Sequence, residues 1–110
     1  MDISELKKLH EDTSKKCLDI MVKKNSDYTG GKKSQDIFAN FRSSQVLGID
    51  PVLGIMMRVM DKIQRIRSFT EDGELKVSDE SVYDACEDVI NYMMLAKAMF
   101  VEKRNNENDL

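Results

Sequence analysis

Leu6, Leu9, Thr13, Cys17, Ile20 and Met21 recur at spacings of three and four, with lysines and acids between them. That period marks one buried face of an α-helix and predicts a first helix from Ile3 to about Lys24. Asn25-Ser26-Asp27 should stop it, because Tyr28-Thr29-Gly30-Gly31 cannot readily continue a helix. A second, shorter helix is expected from Gln35 or Asp36 to Leu47, anchored by Ile37, Phe38 and Phe41, with Gly48 as its stop. Asp50-Pro51 supply an N-cap and a first helical residue for a third helix. Its stripe Val52, Ile55, Met56, Val59, Ile63 and Ile66 carries it to about Phe69. A polar turn, Thr70 to Val77 with Gly73, leads to a fourth helix that starts at Ser78 or Asp79 and reaches roughly Lys103. Arg104 to Leu110 read as a frayed polar tail.

No period-two run interrupts this pattern, so the fold class is all-α: a compact bundle of about four helices in one domain, residues 1–103, followed by the tail 104–110. At 110 residues such a domain buries a modest share of its surface. Oligomerisation, with a homo-oligomer completing the bundle, is therefore expected. Hydrophobic residues at 41% and charged residues at 34% fit a folded helical chain and are too apolar for disorder. A net charge of −3 argues against binding long nucleic acid, yet leaves room for a local basic pocket. Cys17 and Cys86 fall within apolar helical patterns without metal-type spacing, which predicts free, buried thiols suited to a reducing cytosol. No stretch approaches the ~18 apolar residues of a membrane span. Met1 to Lys8 lacks the apolar core of a signal peptide, and a cytoplasmic protein is the expectation.

The fourth helix concentrates the candidate chemistry. Glu80, Asp84, Glu87 and Asp88 occupy about a third of its circumference, with Asn91 on the same side. The apolar stripe Val82, Cys86, Val89, Met93, Ala96 and Phe100 lies opposite. Acids on a helix surface are ordinarily solvated, and near the N-terminus they complement the macrodipole. Here, however, the acidic side turns apolar further along, at Met94, Leu95 and Ala98, so it should point at protein or ligand. Clustered carboxylates suit Mg²⁺, a hard cation that bridges to phosphates. The third helix carries the opposite sign: Arg58, Lys62 and Arg65, beside Asp61. These cations either bridge to the acids of the fourth helix or hold phosphate oxygens. The loop Asn25 to Ser34 sets two glycines among lysines and a tyrosine, as a phosphate-contacting loop or a plain solvated turn would. His10, the one histidine, reads as a surface residue, and the methionines as core and interface filler.

Several short motifs occur in a familiar order. They are Lys24-Asn25-Ser26-Asp27-Tyr28; Phe38-Ala39-Asn40-Phe41-Arg42; Arg58-Val59-Met60-Asp61-Lys62 with Arg65; and Val77-Ser78-Asp79-Glu80-Ser81 with Asp84, Asp88 and Asn91-Tyr92. Together, over Lys24 to Ala96, they resemble the nucleotide-modification-associated domain 1 family, helical proteins of bacteriophages and their hosts. The resemblance implies a phage protein working in the host cytoplasm on nucleotide metabolism or modification. The fourth helix is also similar to MazG-like all-α nucleotide pyrophosphohydrolases, which bind Mg²⁺ through carboxylates on two neighbouring helices. Those enzymes carry Glu-x-x-Glu on the partner helix, whereas this chain offers only Asp61 among Arg58, Lys62 and Arg65. The departure favours phosphate binding over hydrolysis.

The expected site then has three parts. Lys24, Asn25, Asp27 and Tyr28, with Asn40, would meet base or sugar; Arg58, Lys62 and Arg65 would neutralise phosphates. Asp61, Asp84 and Asp88, with Glu80, would hold Mg²⁺. In an enzyme, Glu80 or Glu87 would orient the attacking water. A module that sequesters a nucleotide, a signalling nucleotide among them, and a helical protein–protein interaction module are the alternatives.

Overall fold

The structure, a computed structural model, describes residues 1–25, 36–73 and 81–108. All regular elements among these residues are helical, as the sequence pattern predicts. The chain divides into two units, Met1–Asn40 and Phe41–Leu110.

The first unit is built on α1, Ile3–Lys23. A reciprocal capping box starts it: the Glu5 amide donates to Asp2 Oδ1 at 2.9 Å and the Asp2 amide donates to Glu5 Oε2 at 2.8 Å. Two of the helix's orphan donors are thereby satisfied. Of its apolar stripe only Cys17 is fully buried, while Leu6 and Leu9 remain exposed. Asp36 begins the next described stretch, and its Oδ1 accepts the Phe38 amide at 3.0 Å. This side-chain turn competes with helix formation. The helix expected from Gln35 or Asp36 is accordingly a turn over 37–40, followed in the second unit by a 3₁₀ helix, Phe41–Leu47.

The second unit consists of that 3₁₀ segment and two long helices, α2 (Pro51–Asp72) and α3 (Val82–Asn108), which pack on each other. The 3₁₀ segment closes at Gly48, whose φ of 73° is the left-handed stop expected there. Asp50 then caps α2, its Oδ1 accepting the Val52 amide at 2.8 Å, with Pro51 in the first turn. At the far end Gly73, at φ 76°, donates its amide to the Phe69 carbonyl at 2.8 Å. Ser81 and Asp84 form the reciprocal cap of α3, each side chain accepting the other's amide at 3.1 Å. The expected start at Ser78 or Asp79 lies outside the described residues. Nothing in Arg104–Asn108 breaks a helix, and these residues extend α3 where the sequence suggests a tail.

The rotation of α3 differs most from expectation. Ala85, Asn91, Leu95, Ala96 and Met99 are its buried residues, and of the apolar stripe only Ala96 is among them. Cys86, Met93 and Phe100 of that stripe are exposed. The half-acidic side therefore faces protein at Asn91 and Leu95, but Met94, expected on that side, is exposed. Cys86 is an exposed free thiol while Cys17 is a buried one. On α2, Ile55 and Val59 are buried as expected, but Lys62 is partly buried where Ile63 is exposed. Phe41, Pro51, Ile55 and Val59 complete this small core. A β-carbon on Gly54 would sit 3.1 Å from Ser44 Oγ, so the glycine lets α2 approach the 3₁₀ segment closely. No helix among the described residues is long and apolar enough to cross a membrane.

Replacing Gly73 with alanine should destabilise the protein by about 1–2 kcal/mol in urea unfolding, from backbone strain alone. The space around its Cβ is open. Asp50→Ala should cost about 1 kcal/mol by loss of the cap.

Candidate functional site

Two successive turns of α2 and one side chain of α3 line an open pocket of about 430 Å³, formed by Met57, Arg58, Asp61, Lys62 and Tyr92. The volume falls in the range of small-ligand sites. Two cations and one acid supply its polarity, and Met57 and Tyr92 its apolar walls. Arg58 lies with its guanidinium carbon 4.7 Å from the centre of the Phe41 ring, a cation–π contact. Lys62 Nζ stands 3.0 Å from Asp88 Oδ2, with the two side chains only 15% and 22% exposed. Arg65 reaches Asp61 at 3.3 Å along the same helix, the one-turn pair its spacing predicts.

The pocket thus brings together Arg58, Asp61 and Lys62, with Arg65 attached through Asp61 and Asp88 through Lys62. The Asp84 carboxylate accepts the Ser81 amide and serves as a helix cap. Glu87 is half-buried, its Oε2 shielded from solvent. Lys24, Asn25 and Asn40 are exposed and belong to the Met1–Asn40 unit. Asp27, Tyr28 and Glu80 lie outside the described residues. Among the described residues no group of three or more His, Cys, Asp or Glu side chains is placed to hold a metal ion.

Tyr92, Met57 and Phe41 were not among the candidate residues. Tyr92 could have been found: it stands four residues after Asp88, hence on the same side of the helix. Phe41 could not, because its place against Arg58 depends on how the 3₁₀ segment meets α2. A second cleft of about 410 Å³ includes Arg42, Lys103, Asp50, Glu102 and Glu107 in its lining. Its three carboxylates outnumber its two cations, so a phosphate is better served by the first pocket.

No family model matches the sequence, and comparison with curated proteins and with solved structures likewise finds no match.

The Lys62–Asp88 pair should behave as one unit. Asp88→Asn leaves a partly buried ammonium poorly compensated and should cost about 2 kcal/mol. In a double-mutant cycle, Lys62→Met combined with Asp88→Asn should cost clearly less than the two single changes added. Additive costs would show that the pair contributes no coupling.

Proposed function

We propose that the chain binds a nucleotide in the α2–α3 pocket, with Arg58 and Lys62 on the phosphates and the base between Met57 and Tyr92. The observation that carries this reading is the convergence of two cations, an aromatic ring and a thioether on one open pocket. Arginine offers a planar fork to phosphate oxygens and lysine a point charge. Phe41 holds Arg58 from outside the pocket, which lowers the entropic cost of engaging a ligand. The resemblance to the nucleotide-modification-associated domain 1 family agrees with a nucleotide ligand and with a role in phage nucleotide metabolism or modification. The negative net charge favours such a small ligand over long nucleic acid.

Binding without turnover is the preferred form. Asp88 is committed to Lys62, Asp61 to Arg65 and Asp84 to a helix cap. Mg²⁺-assisted hydrolysis would require these carboxylates to exchange their present partners for the ion. A protein that retains its nucleotide acts by sequestration or delivery.

The test is incubation of the purified protein with Mg²⁺ and a panel of deoxynucleoside triphosphates and cyclic nucleotides, followed by chromatography of the bound and free fractions. Intact nucleotide should appear in the bound fraction. Arg58→Ala should weaken its binding at least tenfold, about 1.4 kcal/mol. Arg67→Ala, in an exposed pair with Glu71 away from the pocket, should leave it unchanged. New mono- or diphosphates that vanish with chelator would replace this reading with a hydrolase. An empty bound fraction without products would leave a protein–protein interaction module.

A further inference from the structure

The rotation of α3 that turns its acids inward leaves an apolar face pointing outward. Tyr83, Ile90, Met93, Met94 and Phe100 are between 46% and 75% exposed, and the exposed Cys86 lies among them. On a helical projection these residues share one side, over about 26 Å of helix at 1.5 Å per residue. Lys97 is the one charge among them between Tyr83 and Phe100. Large side chains bring roughly 150–250 Å² each, so about half-exposed they present on the order of 500 Å² of apolar surface. That is at the upper end of what monomers leave uncovered, and most of the ~800 Å² per partner in a standard interface.

The order of residues along this face points to its occupant. Tyr83 and Lys97 stand seven residues before and after Ile90, so all three lie on nearly one line along the helix. Cys86 and Met94 are likewise four residues to either side. We infer that the outer face of α3 packs antiparallel on the same face of a second copy of this chain, across a two-fold axis passing at Ile90. Each Lys97 ammonium then meets the partner's Tyr83 ring, Cys86 meets the partner's Met94, and Ile90 meets the partner's Ile90. The face is self-complementary in the manner an isologous contact requires, with its single cation matched to the partner's tyrosine. A parallel pairing would set Lys97 against Lys97, two like charges in an apolar seam. The contact uses the side of α3 turned away from α2 and is independent of what the pocket binds.

Sedimentation velocity of the full chain at micromolar concentration tests this, with circular dichroism as the check on folding. The wild-type chain should sediment as a dimer, and Ile90→Glu as a monomer of unchanged helicity. Lys97→Glu should weaken the dimer several-fold without changing the fold. Ile90→Cys in a Cys86→Ser background should give a covalent dimer under mild oxidation, because the axis brings the two position-90 side chains together. That variant decides the matter if Ile90→Glu proves unfolded. A monomeric wild-type chain, a dimer that survives Ile90→Glu in a folded protein, or no cross-link at position 90 would overturn the inference.

Discussion

The pairing of Lys62 with Asp88 is the constraint around which the second unit is organised. Helix α3 carries apolar residues on two sides, so hydrophobicity alone does not choose which side meets α2. A carboxylate that finds a partly buried lysine amine 3.0 Å away does choose. Turning α3 so that its more regular apolar stripe faced inward would carry Asp88 away from the seam and leave Lys62 partly buried without it. Leaving one member of such a pair uncompensated costs more than the pair contributes when intact, so the interaction selects an arrangement more than it adds stability. The small Ala85 and Ala96 and the slim Asn91 suit a seam that must also fit an ion pair.

This choice explains which parts of the architecture are readable from the sequence. The capped starts and glycine stops are local chemistry. Asp50-Pro51, Gly48 and Gly73 each act through their own backbone or a neighbour two to four residues away, and the structure places them accordingly. The helical class follows from periodicity in the same way. The rotation of α3 is not local: the regular stripe from Val82 to Phe100 predicts one buried face, and a single long-range contact favours another. The clue available was the change of the acidic side to Leu95 and Ala98, which indicates a face directed at protein. The helix expected to begin at Asp36 fails for the opposite reason. There the Asp36 side chain captures the Phe38 amide, a local competition that hydrophobic spacing does not register.

The candidate site was legible in its charges and not in its shape. Arg58, Asp61 and Lys62 sit at spacings of three, one and four, and one stretch of helix suffices to bring them together. Asp84 and Asp88 differ by one turn yet have separate tasks, one holding a helix end and the other a lysine across the seam. Sequence spacing gives both the same face and cannot distinguish those tasks. The aromatic elements, Tyr92 in the wall and Phe41 behind Arg58, depend on packing between elements and become visible only in three dimensions.

The outward-facing methionines carry a chemical consequence of their own. Met57 and Met60 on α2 are each more than half exposed, whereas Met99 is buried. Oxidants reach accessible thioethers first and convert a flexible apolar side chain into a polar sulfoxide. Met57 would thereby change one wall of the pocket from greasy to polar, while the buried Met99 retained its thioether. Brief peroxide exposure followed by peptide mass mapping would order these two sites against Met99. In a cell under oxidative stress, this protein's surface polarity would become a function of reductase supply.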